Sequence, residues 1–192
     1  SVTGLFPTPE GLMVFKQTSV WMLIGDTFDA TNPQYRMVRL SAPPGIGCVA
    51  SATIAFLYGV GVVWLAKDGV YHFDGSQISS VSEKIRPTME LLNTAITGYV
   101  GTLNGLSYVN RREAQGAVFR NRYWLSIEQG SATTGNRMVL VLDTNGNWQI
   151  NVESLAVWFV NFSDTTYVNR LIAGPVSTGA QIAEWVHGPI CD

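Results

Sequence analysis

Apolar and polar residues alternate with a period of two along most of this chain, which is the pattern of half-buried β-strands. Runs rich in β-branched and aromatic residues are separated by short segments containing glycine, asparagine or aspartate. The pattern predicts strands at 12–15, 19–25, 53–58, 62–66, 70–74, 77–81, 116–119, 122–128, 137–143, 147–150, 155–160, 165–174 and 180–186. The predicted fold class is therefore all-β.

Tight turns are indicated between many of these strands. The pairs Asp68-Gly69, Gly75-Ser76 and Asn145-Gly146 stand between apolar runs. Asp-Gly and Asn-Gly supply the positive φ angles that two-residue hairpin turns demand. We therefore expect consecutive antiparallel hairpins, with turn geometry accounting for these glycines and their acidic or amide neighbours.

One segment has helical rather than strand spacing. Met89, Leu92 and Ile96 recur at intervals of three and four, after the N-cap candidate Ser82. Pro87 suits a first helical turn, so the helix is predicted over about 86–95. It is interpreted as a helical insertion, about 83–96, in a β domain.

The hairpins repeat along the chain. The first turn of each predicted unit falls at Lys16, Gly59, Arg120 and Ser163, at spacings of 43, 61 and 43 residues. A period of 40–50 residues with up to four short strands per unit is typical of a β-propeller. We predict one domain over 1–192, either a propeller of four-stranded antiparallel blades or a fragment of a larger one. A β-sandwich with long loops is the alternative.

Composition narrows the classes of partner. Hydrophobic residues make up 46% of the chain and support a packed core, whereas charged residues make up only 14%, so other protein is expected to cover part of the surface. The net charge of −2 gives no positive footprint for nucleic acid, and the one basic stretch, 110–122, is interpreted as a loop and strand edge. No apolar run is long enough for a membrane span, and no signal peptide is visible. Because the chain starts with Ser1 and stops after a strand-like segment, we expect a piece of a longer chain.

Candidate catalytic and metal-binding residues are few. His72 lies in a predicted strand, His187 precedes Gly188-Pro189, and no nucleophile elbow accompanies either one. Asp68 and Asp74 each immediately precede a turn glycine. Turn geometry therefore explains them better than a role as the paired carboxylates of a glycosidase. Cys48 is interpreted as a small buried residue, with a disulfide to Cys191 left open. We predict no catalytic, cofactor-binding or metal-binding residue and no cofactor.

Aromatic residues have two interpretations. Trp21, Trp64, Trp124 and Trp158 each fall in a predicted strand of one repeat unit. Equivalent positions favour packing between blades, while a row of aromatics lining a sugar groove is the alternative. The segment 143–148, "DTNGNW", departs from the aspartate box of sialidase propellers in its spacings and lacks the leading serine.

Two stretches resemble bacteriophage virion proteins. "GIGCVASATIAFLYGVGVVWLAKDGVYHFDGSQISSVSEKI" (45–85) is similar to a block in which a Gly-Cys motif precedes a strand pair and a "DG-aromatic-x-aromatic-DG" hairpin follows. The segment 122–148, "RYWLSIE…NRMVLVLDTNGNW", resembles the stretch that follows in those proteins. Such proteins carry β-propellers and build the tail hub or nozzle of short-tailed phages, or related tail and connector rings.

The resemblance implies a non-enzymatic virion protein. It implies a homo-oligomeric ring, with a hexamer expected, and contacts to neighbouring tail or head-to-tail connector proteins. It also implies assembly in the host bacterial cytoplasm and a final place in the virion tail, while non-specific proximity to packaged DNA is left open. The alternative is a carbohydrate-binding or glycan-cleaving propeller, such as a lectin-like phage receptor-binding protein, and a host-side propeller scaffold has the same sequence pattern.

Overall fold

The fold is all-β and consists of four antiparallel sheets that follow one another along the chain. The computed structural model describes residues 1–26, 34–85, 114–128, 137–151, 156–162, 170–175 and 183–184. Its strands are β1 (Val2–Thr8), β2 (Gly11–Lys16), β3 (Val20–Asp26), β4 (Gln34–Arg39), β5 (Ala55–Leu57), β6 (Gly61–Leu65), β7 (Val70–Phe73), β8 (Ile78–Ser80), β9 (Gln115–Phe119), β10 (Arg122–Glu128), β11 (Arg137–Leu142), β12 (Trp148–Asn151), β13 (Ala156–Phe162), β14 (Arg170–Pro175) and β15 (Ala183–Glu184).

Every sheet is an up-and-down meander in chain order. Sheet I holds β1 to β4, sheet II holds β5 to β8 and sheet III holds β9 to β12, each with four strands. Sheet IV holds β13 to β15 among the described residues. Each strand pairs with the next one along the chain, which keeps most of the pairing local.

The predicted strands of sheets II and III are confirmed within a few residues at their ends, and 122–128 coincides with β10. Strands β1 and β4 were not predicted. The missed β1 changes the order in sheet I, because Lys16 lies at the second hairpin turn of that sheet rather than the first. Gly59 and Arg120 do lie at the first turns of sheets II and III, and Ser163 lies outside the described residues.

The sheets stack face to face. Met13, Phe15 and Met22 of sheet I share one buried cluster with residues of sheet II that include Val62 and Trp64. The ring centroids of Phe15 and Trp64 lie 5.1 Å apart in an edge-to-face arrangement. Side chains alternate between the two faces of a strand, so the neighbours of Val62 and Trp64 point the opposite way.

Those neighbours build a second buried cluster, between sheets II and III. It contains Val63 and Leu65 from sheet II, and Leu125 and Leu140 from sheet III. On the far face of sheet III, a third cluster contains Phe119, Trp124, Val139 and Val141. Strand β13 of sheet IV contacts β9, β10 and β11 of sheet III. Sheets II and III are therefore buried on both faces.

The first strands of successive sheets lie together. Strand β5 contacts β9, and β9 contacts β13. The 3₁₀ turn Ser51–Thr53, which leads into β5, contacts both β1 and β9. The approach is close at Gly4 in β1 and Gly116 in β9, where a Cβ atom would meet Ile54 and the Thr53 carbonyl oxygen. The first strands of successive sheets thus lie along the same side of the stack.

The linker between sheets I and II is part of the core. Ile46, Gly47 and Cys48 are buried within it. The Cys48 amide donates to the Lys16 carbonyl of sheet I at 2.9 Å, and the next amide, Val49, donates to Leu65 of sheet II at 3.1 Å. Trp64 adds a third bond, from its indole nitrogen to the Gly47 carbonyl at 3.0 Å.

One detail of the predicted turns is wrong. Gly69 does not adopt a positive φ, and its small size allows the approach of the Ser82 hydroxyl, which lies close to where a Cβ would stand. That hydroxyl is buried and accepts a hydrogen bond from the Val70 amide at 3.0 Å. Of the predicted insertion, Glu83–Ile85 forms a 3₁₀ turn, and the helix at 86–95 lies outside the described residues.

Candidate functional site

A cleft opens where turns of sheets I and II meet. We call it the turn cleft, and its volume is about 390 Å³. The β1–β2 turn forms one wall, while the β5–β6 and β7–β8 turns form the other. Its described lining residues are Thr8, Pro9, Glu10, Phe56, Gly59, Val60, Gly61, Val62, Phe73, Asp74 and Gly75. Its size lies within the range of small-molecule binding sites.

The turn cleft has an apolar floor and an acidic rim. Val62 and Phe73 are buried strand residues, and Phe56 is an aromatic side chain that is 52% exposed. The carboxylates of Glu10 and Asp74 are exposed at the rim. Sheet pairing sets this arrangement, since Val62 lies opposite both Phe56 and Phe73.

Asp74 organises the β7–β8 turn. Its Oδ1 accepts from the Ser76 amide at 2.8 Å, the Ser76 hydroxyl at 2.8 Å and the Gln77 amide at 2.9 Å. These bonds to the charged form, led by the one from the Gln77 amide, lower the pKa of Asp74 from 3.8 to about 2. Gly75 follows with φ of +100°, a conformation that favours glycine. The turn interpretation of Asp74 is supported by these contacts.

Two further aspartates, Asp143 and the predicted turn residue Asp68, also have partners close by in the chain. Oδ1 of Asp143 accepts from the amides of Asn145 and Asn147, at 2.9 and 2.8 Å. Hydrogen bonds from Asn147 lead the causes that lower the pKa of Asp143. Asp68 accepts from the Tyr71 hydroxyl at 3.1 Å. All three carboxylates therefore have partners within the turns or hairpins that contain them.

His72 connects the β5–β6 turn to strand β8. Its Nδ1 lies 2.9 Å from the Val60 carbonyl oxygen, so this nitrogen carries the proton and donates it. Its Nε2 lies 2.7 Å from the Ser79 hydroxyl. Both ring nitrogens are occupied, which gives His72 a structural role in supporting the β5–β6 turn behind the cleft. His187 lies outside the described residues.

Two titratable groups are buried away from the cleft. Cys48 is a free thiol whose Sγ lies 3.2 Å from the Ala50 carbonyl, and burial raises its pKa from 9.0 to about 11. Tyr123 is fully buried and donates its hydroxyl proton to the Thr53 carbonyl at 2.8 Å. Burial raises the pKa of Tyr123 as well. Cys48 is the buried small residue that we predicted, and Cys191 lies outside the described residues.

A second candidate site is the outer face of sheet I, which is the face directed away from sheet II. Cross-strand pairing aligns Leu5 with Val14, Trp21 and Arg39, and it aligns the next row in the same way. We define the outer face by these two rows and the neighbouring Tyr35: Leu5, Pro7, Leu12, Val14, Trp21, Leu23, Tyr35, Met37 and Arg39. Leu5 is 58% exposed, Tyr35 53% and Met37 50%. Val14 is buried, and Leu12, Trp21 and Leu23 are half-buried, so this apolar sheet face is partly open to solvent in the single chain.

The tryptophans occupy different environments. Trp64 and Trp124 lie in the second strands of sheets II and III and are buried between sheets. Trp21 lies in the third strand of sheet I and is half-buried, so it is not their equivalent. Its indole nitrogen donates to Ser19 Oγ at 3.0 Å, and the Lys16 ammonium lies 5.2 Å from the indole ring centroid. The side chain of Trp158 lies outside the described ones.

The described residues contain neither a candidate metal-binding group nor a candidate membrane-spanning helix. Across the described ranges, no group of three His, Cys, Asp or Glu side chains could hold a metal ion. No helix in the same part of the chain is both long and apolar enough to cross a bilayer. The described part of the basic stretch is mostly β9 with the Arg120-Asn121 turn, where the Arg120 guanidinium lies 5.4 Å from the Phe119 ring centroid.

Sequence reasoning missed the turn cleft and the outer face. Glu10 and Phe56 were not singled out, because neither belongs to a motif and their proximity depends on how two sheets stack. The outer face had one available signal. The half-buried positions 12, 21 and 23 are as apolar as their buried neighbours, which indicates a sheet covered on both sides.

Comparisons with known proteins give no family assignment. No protein-family model matches the chain, and no curated protein matches it significantly.

Proposed function

We propose that this chain is a non-enzymatic structural subunit of a bacteriophage virion. It would belong to a tail hub or nozzle, or to a head-to-tail connector, and would assemble with other copies into a ring. The observation that carries the proposal is the exposed apolar outer face of sheet I. Low charge and the resemblance to virion proteins favour the same function.

The propeller architecture is part of this proposal. Four successive meander sheets stack face to face in chain order, and their first strands lie along the same side of the stack. Propeller blades pack in this way around a central axis. In a sandwich, by contrast, each sheet would pack on one face only. Sheets II and III, with two buried faces each, therefore favour blades.

The outer face of sheet I is the proposed assembly surface. Its exposed positions, such as Leu5, Tyr35 and Met37, stay open although the opposite face of the same sheet is closed by sheet II. Exposed apolar patches of this kind mark protein interfaces. We assign the surface to a second copy of the chain, meeting a different surface of its neighbour, because such heterologous contacts close into rings.

Measurement of the oligomeric state tests the assembly. We expect the purified chain to form a closed oligomer, with six copies favoured, in light scattering coupled to size-exclusion chromatography. The substitution Met37→Lys, on the outer face, should yield monomers with unchanged circular dichroism. The control Tyr58→Lys alters a more exposed apolar side chain, at 76% against 50% for Met37, on the β5–β6 turn and should leave the oligomer intact. A wild-type monomer, or identical behaviour of the two variants, would contradict this assembly.

The virion assignment needs its own experiment. Antibodies against the chain should label the tail end of particles made by the phage genome that encodes it, as seen by immunogold electron microscopy. Mass spectrometry of the same particles should detect the chain in a fixed ratio to known tail proteins. Particles that lack the chain would exclude a virion role, whatever its oligomeric state.

The carbohydrate alternative stays a prediction. Burial accounts for Trp64 and Trp124 through sheet packing, which leaves fewer aromatics for a sugar groove. A glycan array and a polysaccharide hydrolysis assay test this alternative directly, and signals in both would favour a receptor-binding protein over a purely structural subunit.

A further inference from the structure

We propose that the turn cleft binds an organic cation, meaning an ammonium or guanidinium group carried on an apolar stem. This inference is independent of the ring assembly, because the cleft opens at the turns between sheets I and II rather than on the outer face.

The hydrogen-bonding inventory of the cleft is one-sided. Glu10 and Asp74 present carboxylates, and an ionised carboxylate accepts hydrogen bonds but has no proton to donate. Thr8 is the remaining polar lining side chain, and it donates its hydroxyl proton to the Gly11 carbonyl at 2.9 Å. None of the described lining residues carries a positive charge. The side chains of the cleft therefore offer acceptors and hardly any donors.

Three backbone amides in the two turns of sheet II are also committed. The amides of Ser76 and Gln77 both point at Asp74 Oδ1. The Val60 amide donates to the Leu57 carbonyl at 3.0 Å. A sugar presents oxygens that need donors as well as acceptors, and an anion would meet two carboxylates. A ligand with donors alone complements this cleft best, and ammonium and guanidinium groups are such donors.

The apolar part of the cleft selects an organic cation over a bare metal ion. Val62 and Phe73 form a buried floor, and Phe56 presents an exposed ring beside the carboxylates. Aromatic faces attract alkylammonium and guanidinium groups, and apolar walls accept their methylene stems. Calcium, in contrast, takes six to eight oxygen ligands, which this floor does not present.

The shape of the cleft is supported from behind. Gly59 and Gly61 hold φ of +82° and +111°, which side chains rarely adopt, and His72 donates to the Val60 carbonyl between them. Asp74 fixes the β7–β8 turn, on the same wall of the cleft, through its three hydrogen bonds. The rim carboxylate and the floor are thus held in place by contacts within sheet II, while Glu10 comes from sheet I.

Binding of butylguanidinium, followed by amide chemical shifts, tests the proposal against the neutral analogue butylurea. We expect saturable shifts at Phe56, Val60 and Gly75 with the cation, and affinity for butylurea at least about fivefold lower. Glu10→Gln and Phe56→Ala should each weaken cation binding about two- to fivefold. The matched controls Glu83→Gln and Tyr58→Ala change an exposed carboxylate and an exposed aromatic outside the lining, and should bind as the wild type does.

A second arm identifies the source of the cation. A blocked peptide with one arginine is compared with the same peptide carrying neutral citrulline. Preference for the arginine peptide over butylguanidinium would indicate a side chain of a partner protein, and the reverse would indicate a free small molecule. Equal affinity for cation and neutral analogue, or full binding by Glu10→Gln, would overturn the proposal. Since Glu10 is exposed, that variant is expected to fold and decides the matter even if Phe56→Ala does not.

Discussion

Sheets I and II have nearly the same strand pattern but different surroundings. Each has four antiparallel strands in chain order, with apolar residues at successive positions of its central strands. Sheet II is covered on both faces, so that Val62, Val63, Trp64 and Leu65 are all buried. Sheet I is covered on one face, and Met13 and Met22 are buried while Trp21 and Leu23 are only half-buried.

This difference separates residues that stabilise the single chain from residues that serve an interface. Apolar side chains on both faces of sheet II contribute to folding within one molecule. On sheet I, the same chemistry on the outer face contributes little until something covers it. Substitutions on matched positions of the two sheets can therefore test the comparison.

The largest expected effect comes from the two tryptophans. Trp64→Ala should lower the free energy of unfolding by about 3–5 kcal/mol, because it empties a packed site between two sheets. Trp21→Ala should cost only about 1–2 kcal/mol, since it removes a half-buried ring and one cation–π contact. Urea denaturation under conditions that keep the chain monomeric measures both. Equal losses of unfolding free energy in the two variants would show that the ring on the outer face of sheet I is as important for folding as the one buried between the sheets.

A second effect arises from Cys48, at the junction of sheets I and II. The unfolded thiol loses its proton near its ordinary pKa of 9.0, whereas the folded thiol has a pKa of about 11. Between these values the unfolded state binds fewer protons, so the free energy of unfolding falls as the pH rises. The loss attributable to Cys48 should reach about 2–3 kcal/mol at the upper value.

The control for this effect is Cys48→Ala, which should lack that part of the pH dependence. Tyr123, whose pKa is also raised, contributes its own alkaline loss to both proteins, so the difference between them isolates the thiol. Parallel curves of unfolding free energy against pH would show that Cys48 is not desolvated in the folded chain.

A smaller effect is expected at the junction of sheets II and III. Tyr123→Phe removes the proton donated to the Thr53 carbonyl and leaves that carbonyl without this partner. We expect a loss of about 1–2 kcal/mol in urea denaturation. Phe119→Leu, which changes a buried aromatic on the opposite face of sheet III without removing a side-chain hydrogen bond, serves as a comparison. An unchanged free energy of unfolding in Tyr123→Phe would show that this hydrogen bond does not stabilise the junction of sheets II and III.

The smallest effect belongs to the exposed turn at Asp74. Its folded pKa of about 2 lies below the ordinary 3.8, so its stabilising contribution is present above 3.8 and is lost as the pH falls through about 2. Carboxyl carbon NMR should show the depressed titration midpoint directly. Asp74→Asn should reduce the acid sensitivity of unfolding, and a titration at the ordinary value would show that the three hydrogen bonds to Oδ1 do not persist in solution.

Strand patterns could be predicted wherever a sheet has an apolar face and turn residues at its ends. Residues 122–128 met both conditions, and the strand there matches the prediction. Strand β1 was missed because Gly4 and Pro7 interrupt its pattern, and Pro7 is tolerated because β1 lies at the edge of sheet I. Strand β4 was missed because its described side chains, 35–39, are all exposed and mix charged with apolar residues.

In the turns, the local sequence predicts where a residue lies better than it predicts what that residue does. Asp74 acts in its turn as its sequence context indicates. Gly69 stands in an equally typical pair, yet its role is to let the distant Ser82 hydroxyl approach. The turn cleft could not be predicted, since its walls come from three turns that only the stacking of sheets I and II brings together.

The pair of amides at Cys48 and Val49 has a mechanical consequence. Because successive amides point in opposite directions, the linker is bonded to both sheets at once and carries load between them. On the sheet I side the linker has the bond to Lys16, and on the sheet II side it has the bond to Leu65 and the indole bond of Trp64. In single-molecule stretching, the linker should therefore stay with sheet II when the bond to sheet I breaks.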